Sequence, residues 1–143
     1  MNSFVKLLKL LLAFFVFSTL LSCEKAADTI KIGFIDPLSG PFANVGQHFQ
    51  QELELVVERV NQRGGVLGGQ KLEVVALDGK GKPEDSLIAF QQMVDQGVSF
   101  LLQGNSSAVA GALTDKVKKH NARNPESTVI YLNYAAVDPV LTN

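Results

Sequence analysis

The sequence predicts an α/β fold in which a parallel sheet carries helices on both faces. Apolar runs of strand length alternate along the chain with longer segments whose apolar residues recur every three or four positions. The second predicted strand is apolar at consecutive positions, which is typical of a parallel sheet covered on both sides. Strands that alternate with helices imply right-handed crossovers, and a length of 143 residues suits one small domain.

The first 22 residues are predicted to be a signal peptide rather than part of the fold. Two lysines precede an uncharged apolar run over residues 10–17, which is shorter than the roughly 20 residues of a transmembrane helix. Leu20, Ser22 and Cys23 resemble a bacterial lipobox, which implies cleavage before Cys23 and attachment of lipid to it. More than one acyl chain makes such an anchor stable. The alternative is a plain secreted protein with a coincidental cysteine.

Residues 23–29 are predicted to form a polar tether, and residues 30–143 the folded part. The chain has 13 basic and 14 acidic residues, a balance that argues against an electrostatic binder of nucleic acids. Its single cysteine excludes an internal disulfide and a multi-thiolate zinc site.

The first half of the folded part is predicted to be a strand, a helix and a second strand. Residues 30–35 form an apolar strand that ends at an Asp-Pro pair. The helix runs over residues 47–63 and ends at a glycine pair. Residues 71–78 form the second strand. The apolar stripe of the helix that we expect to face the sheet consists of Phe49, Leu53, Val56, Val57 and Val60.

The second half continues the same alternation. Pro83 opens the second helix at a favoured amino-terminal position, and Gly97 ends it. Residues 98–102 form the third strand, residues 108–120 the third helix and residues 128–132 the fourth strand.

Ligands of an open parallel sheet bind at the carboxyl ends of its strands, so functional residues are sought there. After the third predicted strand, Ser106 and Ser107 stand at the start of a helix. Hydroxyls and free amides at such a position favour a carboxylate or another anion. The alternative is that this pair only caps the helix.

Other polar residues have simpler interpretations. Asp36 and Asp78 both end strands at the same edge, so one interpretation is a metal or phosphoacceptor pocket, and the simpler one is capping of the adjoining turns. His48 is predicted to lie on a helix surface and His120 at a helix end. A triad of Ser106, His48 and Asp36 has no support, because no Gly-x-Ser-x-Gly elbow is present. No GxGxxG follows the first strand, so a dinucleotide-binding fingerprint is absent. We predict no catalytic residue, no metal and no cofactor.

Several segments carry a resemblance to a known family. They are residues 30–46, 60–69 and 71–78, Pro83, and residues 135–142. Read in order, they resemble the beginning of the periplasmic substrate-binding proteins of branched-chain amino acid ABC transporters, the type I or Leu/Ile/Val-binding class. The resemblance implies a clamp of two α/β lobes that closes on a ligand at the hinge. Because members of this family are much longer, the chain is similar to an incomplete first lobe.

The resemblance assigns ligand contacts by position. Ser107, with Ser106 beside it, matches the serine that binds the α-carboxylate of the ligand, and Ala135 and Ala136 match main-chain contacts. Val137 stands where many members have a threonine that hydrogen-bonds the ligand.

A second departure from the family concerns the aromatic residue beside the ligand. Val45 stands where many members have an aromatic residue beside the ligand, and Phe42 or Tyr134 could take that place. Both departures leave open a ligand other than a branched-chain amino acid, such as an amide or an aromatic acid.

The resemblance implies a solute-binding lipoprotein of the bacterial cell envelope. It would capture an amino acid or a related small ligand and deliver it to a membrane permease, without catalysis and without a nucleic-acid partner. The alternatives are a ligand sensor of the same fold, an exported α/β enzyme that uses Asp36, Asp78 and Ser106, and a non-functional truncated remnant. Because one partial lobe holds only part of a ligand, we expect no useful affinity from the 143-residue chain alone.

Overall fold

The computed structural model describes residues 29–141, in which strands and helices alternate from the start. The elements are β1 (Ile30–Asp36), α1 (Ala43–Gln62), β2 (Leu72–Asp78), α2 (Pro83–Asp95), β3 (Phe100–Gln103), α3 (Ser107–Arg123) and β4 (Ile130–Asn133), with short 3-10 turns at Pro125–Ser127 and Pro139–Leu141. None of the described helices combines the length and the apolar character needed to cross a bilayer. The predicted signal peptide, Cys23 and all but the last residue of the tether lie outside the described residues.

The four strands form one parallel sheet in the order β2-β1-β3-β4, which confirms the predicted fold class. β1 pairs with β2 on one side and with β3 on the other. The connections therefore run in one direction from β1 to β2 and in the other from β2 to β3. The carboxyl ends of β1 and β3 flank the point where the direction changes, which is where open α/β sheets bind ligands.

The main core lies on the face of the sheet that α2 and α3 cover. Its most deeply buried side chains are Ile35, Phe90, Met93, Leu101 and Leu113, each at most 1% exposed. Burying a large apolar side chain contributes about 1.5–3 kcal/mol, so this layer is the chief source of stability.

The opposite face is covered only in part, by α1. Phe34 and Leu102 point to this face and form an apolar groove with Phe49 and Leu53 of α1. Farther along the sheet, Ile130 and Leu132 are 53% and 50% exposed. The prediction of helices on both faces is confirmed, but the two faces are covered unequally in the described part of the chain.

The prediction for α1 was wrong in two details. The helix begins at Ala43 rather than at residue 47, because a turn closed by the Ala43 amide on the Gly40 carbonyl (3.1 Å) leads directly into it. Val56 is 55% exposed, whereas its neighbour Val57 is 6% exposed. A helix that packs on a sheet along one line buries a single row of side chains, and Val56 lies beside that row.

Candidate functional site

A groove of about 220 Å³ opens at the carboxyl edge of the sheet, between the start of α3 and the loop after β4. It is lined by Phe49, by residues 104–107 and by residues 134–137. The groove therefore brings together five of the residues that the resemblance assigned to the ligand, namely Ser106, Ser107, Ala135, Ala136 and Val137, as well as Tyr134.

The two serines at the start of α3 have different local roles. Ser106 is the N-cap residue, and its hydroxyl accepts a hydrogen bond from the Val109 amide at 3.4 Å. Capping, the simpler interpretation, therefore applies to Ser106. Ser107 is the first residue of the helix and lines the groove. The first turn of α3 contains no acidic residue, so the positive end of the helix dipole faces the groove without an internal counter-charge.

The loop after β4 is shaped by Asn133. Its Oδ1 accepts hydrogen bonds from the amides of Ala135 (3.2 Å) and Ala136 (2.8 Å), while its Nδ2 donates to the Ala136 carbonyl at 2.8 Å. These bonds fix the backbone that lines one side of the groove. Val137 follows this turn and is 87% exposed, so its side chain is not held by packing.

The buried Asp36 pairs with the half-buried Tyr134 at the groove. The Tyr134 hydroxyl donates to Asp36 Oδ2, and the Asn105 amide donates to Oδ1 at 3.1 Å. Burial raises the pKa of the Asp36 carboxyl, and the hydrogen bonds from Tyr134 and Asn105 oppose that rise only in part. Both carboxylate oxygens are thus engaged in joining β1 to the two loops that line the groove.

The rings of Tyr134, Phe49 and Phe34 form an aromatic wall beside the groove. The Tyr134 ring lies 4.9 Å from the ring of Phe49 and 6.3 Å from that of Phe34, measured between centroids. Tyr134 lines both the polar groove and the apolar groove under α1. Phe42, which is 64% exposed, and Val45 do not line either groove. Of the two aromatic candidates from the sequence, the structure thus brings Tyr134 into the groove.

Asp78 caps a turn rather than facing the groove. Its Oδ1 accepts hydrogen bonds at 2.8 Å from the amides of Leu38 and Lys80. Partial burial opposes ionisation, but the hydrogen bonds from Ser39, Leu38 and Lys80 outweigh it and hold the pKa of this carboxyl below its ordinary value. Across residues 29–141, no three His, Cys, Asp or Glu side chains come together as a metal site would require.

The two histidines lie where the sequence placed them. His48 Nε2 pairs with Glu52 at 3.1 Å on the exposed side of α1. The ring of His120 is hydrogen-bonded to the Ser127 carbonyl at 2.9 Å, near the end of α3. With His48 paired to Glu52, Ser106 capping α3 and Asp36 bonded to Tyr134, these three residues do not form a triad.

Sequence reasoning missed three residues of this site. Phe49 was assigned only to the sheet-facing stripe of α1, and Asn105 and Asn133 were given no role in binding. The Nδ2 atom of Asn105 is buried and has no hydrogen-bond partner among the described residues. An asparagine side chain often hydrogen-bonds a backbone amide about two residues further on and so marks a turn. The turn-forming role of Asn133 was therefore detectable from the sequence. The orphan amide of Asn105 was not, because only the fold buries it.

Comparisons of the sequence and of the structure with known proteins identify the same family. Residues 29–141 match the model of a periplasmic binding protein family. The chain is 33% identical over 111 residues to Leu/Ile/Val-binding protein homolog 4 of Brucella abortus, an alignment that covers 78% of this chain and 26% of the relative.

Two solved structures have the same fold. The leucine-, isoleucine-, valine-, threonine- and alanine-binding protein of Brucella ovis, in a closed conformation, is 34% identical with a TM-score of 0.75, covering 81% of this chain and 30% of that one. The branched-chain amino acid transporter substrate-binding protein LivJ of Streptococcus pneumoniae, in complex with isoleucine, is 28% identical with a TM-score of 0.69. That match covers 80% of this chain and 31% of LivJ.

The chain thus spans about a quarter to a third of the length of the relatives it matches. These relatives are solute-binding proteins rather than enzymes, and the family name indicates a location outside the cytoplasm. The chain belongs to the type I periplasmic binding proteins of the branched-chain amino acid family.

Proposed function

We propose that this chain carries one wall of the ligand site of an extracytoplasmic amino-acid-binding protein that serves an ABC importer. The observation that carries the proposal is the groove at the carboxyl edge, where the amino end of α3 meets the loop after β4. The Ser107 and Ala108 amides at the start of α3, together with the Ser107 hydroxyl, suit an α-carboxylate. The main-chain carbonyls of residues 135–137 suit an α-ammonium, and Tyr134 and Phe49 suit an apolar side chain.

The ligand is proposed to be a branched-chain amino acid or a related small acid. Val137 offers only its backbone to such a ligand. Asn105 lines the same groove, and its buried Nδ2, which has no partner among the described residues, would be a further donor to such a ligand. A second lobe would close over the groove and exclude water, and the closed protein would deliver the ligand to a membrane permease.

The amino-terminal part of the chain completes the proposal. Residues 1–22 would be removed as a signal peptide, Cys23 would carry lipid, and residues 23–29 would tether the lobe of residues 30–143 to the membrane. The protein would then work as a membrane-anchored lipoprotein of the cell envelope. Mass spectrometry of the amino-terminal peptide of the cell-made protein tests this part directly.

The binding proposal is tested by NMR titration of the Leu132→Lys chain, in which the added charge on the half-covered face opposes self-association. The ligands are L-leucine at millimolar concentration and L-leucinamide, the matched ligand that lacks a carboxylate. We expect leucine to shift the amide resonances of Ser107 and of residues 135–137, and leucinamide to leave them unchanged. Ser107→Ala should weaken binding by about 10- to 100-fold, since a hydrogen bond to a charged group is worth roughly 1.5–3 kcal/mol.

Ser99→Ala is the matched control, because Ser99 is exposed at the opposite edge of the sheet, where its backbone amide bonds to the Lys31 carbonyl. Equal shifts with leucinamide, or unchanged affinity in Ser107→Ala, would show that the carboxylate does not bind at α3. Calorimetry at micromolar leucine should detect no binding to this chain. A micromolar dissociation constant would contradict the need for a second lobe.

A further inference from the structure

A basic groove of about 380 Å³ lies between the carboxyl-terminal halves of α2 and α3, on the side of the molecule away from the ligand groove. Lys116, Lys119 and Arg123 line it from α3. Their spacing of three and four residues places them on one face of that helix. Asp95 is the acidic residue that lines the groove from α2.

The groove has an excess of positive charge, because three cationic side chains line it against the carboxylate of Asp95. Between Lys116 and Asn124 the sequence contains a further lysine, Lys118, and no acidic residue. The ion pairs formed within the described part of the chain join His48 to Glu52 and Lys80 to Asp85, so neither involves this groove. The helix dipole favours cations within the last turn of α3, which contains His120 and Arg123, so it does not account for Lys116 and Lys119.

The charges are also distributed unequally between the two edges of the sheet. Lys80 and Lys82 are the basic residues of the described chain that lie at the carboxyl edge, beside several carboxylates. Those acidic residues are Asp36, Asp78, Glu84, Asp85 and Asp138. The ligand groove therefore opens at the acidic edge, and the basic groove lies toward the other.

The chain enters the fold at the same edge as the basic groove. β1 begins at Ile30, and Lys31 Nζ donates to the carbonyl of Gln96, just past the end of α2, at 2.8 Å. The start of β4 is tied to the end of α3 by Asn121, whose side chain accepts from the Val129 amide and donates to its carbonyl, both at 2.9 Å. The first strand, the ends of α2 and α3 and the basic groove are thus neighbours.

If Cys23 carries lipid, this position determines which surface the basic groove faces. Seven residue steps separate Cys23 from Ile30, and even fully extended they reach at most about 25 Å. The amino edge of the sheet would then lie close to the bilayer. Lipid phosphates are the negative groups present at that surface, and lysine and arginine side chains near an anionic bilayer are attracted to it over about one Debye length, roughly 10 Å.

We propose that the groove lined by Lys116, Lys119 and Arg123 binds the phosphates of anionic lipids in the membrane that holds the chain, and so turns the ligand groove away from the bilayer. The inference rests on the lipid anchor of the proposed function. An acidic protein partner is the competing occupant, and it would not depend on lipid composition.

The test is lysine footprinting of the full chain, isolated from cell membranes and reconstituted into vesicles. One set of vesicles is phosphatidylcholine alone, and the other contains about 30% phosphatidylglycerol. Acetylation rates are read by mass spectrometry at about 50 mM and about 500 mM salt. We expect Lys116, Lys118 and Lys119 to react at least about threefold more slowly on anionic vesicles at low salt, and high salt to remove the protection. Lys80 and Lys82 serve as internal controls and should react at the same rate on both kinds of vesicle at a given salt concentration. Salt itself weakens the exposed ion pair of Lys80 with Asp85, so rates are compared only at equal salt.

A variant with Lys116→Gln, Lys119→Gln and Arg123→Gln should lose the protection of Lys118, whereas the matched variant with Lys80→Gln and Lys82→Gln should retain it. Circular dichroism checks that both variants fold. Equal rates on the two kinds of vesicle, or equal protection of Lys80 and Lys82, would overturn the proposal.

The same digest shows whether Cys23 carries lipid, so a failed anchor is recognised separately. In that case salt-sensitive sedimentation of the chain with anionic vesicles alone would still support the lipid-binding groove, and its absence would reject it.

Discussion

Asp36 is the residue on which the geometry of the candidate site depends most. Its buried carboxylate joins the end of β1 to the loop after β3, through Asn105, and to the loop after β4, through Tyr134. Asp36 is only 2% exposed, and leaving such a buried acceptor without a donor lowers the free energy of unfolding. The aromatic wall is therefore positioned by a polar contact beneath it, as well as by the packing of Tyr134 on Phe49.

Replacing Tyr134 by phenylalanine tests this contact. The ring and its packing are retained, but Asp36 Oδ2 loses its donor, so the free energy of unfolding should fall by about 1–3 kcal/mol. The hydroxyl stabilises the ionised carboxylate. The loss should therefore be greatest at neutral pH and shrink as the pH falls through the folded-state pKa of Asp36, which burial raises above the ordinary value of an aspartate.

Tyr131→Phe is the matched control for that variant. Tyr131 donates to Gln103 Oε1 at 2.8 Å, a bond between neutral groups, and removing it should cost about 0.5–1.5 kcal/mol, with little dependence on pH near neutrality. Urea unfolding at several pH values measures both variants. An effect of Tyr134→Phe that is small, or the same at all pH values, would mean that Tyr134 is held by packing alone.

At this scale the sequence predicted local roles better than distant partners. The capping role of Ser106 follows from its position before a helix, and the turn role of Asp78 from the residues beside it. The pairing of Asp36 with Tyr134 joins residues 98 positions apart, so no local pattern contains it. Phe49 was assigned to the stripe of α1 because its spacing fits that stripe, and only the position of Tyr134 gives the ring a second role.

Among the elements, α3 is preceded by a tightly packed glycine and contains another glycine that has free space around it. Gly104 precedes the helix, and a Cβ atom there would lie 2.8 Å from the Ala135 amide nitrogen and 2.8 Å from the Tyr134 ring. Gly111 lies inside the helix, where a Cβ atom would meet nothing within 4 Å. The same substitution is therefore expected to have opposite effects at the two positions.

Gly104→Ala should destabilise the chain by about 1–3 kcal/mol, because the loop after β4 must move to admit the methyl group. Gly111→Ala should stabilise it by about 0.5–1 kcal/mol, because alanine restricts the unfolded chain and favours the helix. Thermal and urea unfolding measure both changes. If Gly104→Ala were neutral, the loop would not pack on β3 as closely as the structure has it.

The elements themselves were largely predictable, because their apolar residues repeat with the right period and their ends carry proline or glycine. Pro83 opens α2, as its position in the sequence indicated. The start of α1 was harder to place. Its N-cap is Phe42, which makes no side-chain cap, so the usual Ser, Thr, Asp or Asn signal is absent. α3 extends to Arg123, past the expected end at residue 120, because the Asn124 amide still bonds to the His120 carbonyl at 2.9 Å.

For the whole molecule, the unequal covering of the sheet has the largest consequence. α2 and α3 bury one face, whereas the face under α1 leaves Val56, Ile130 and Leu132 about half exposed beside the apolar groove of Phe34 and Leu102. A contiguous apolar surface of this kind favours association, and β2 and β4 each have an edge that pairs with no other described strand. If further structure covered this apolar face, the self-association expected of the chain alone would not occur.

We therefore expect the 143-residue chain to self-associate at micromolar concentration and to bind a hydrophobic dye. Replacing Leu132 and Val56 by lysine should reduce both effects, because each change places a charge on the half-covered face while removing little buried area. Ile88→Lys is the matched control, since Ile88 is 60% exposed on α2, away from that face. Sedimentation velocity gives the association state of each variant. If Ile88→Lys were as effective as the other two changes, general surface charge would explain the result. If no variant altered association, the strand edges rather than the apolar face would be the contact between molecules.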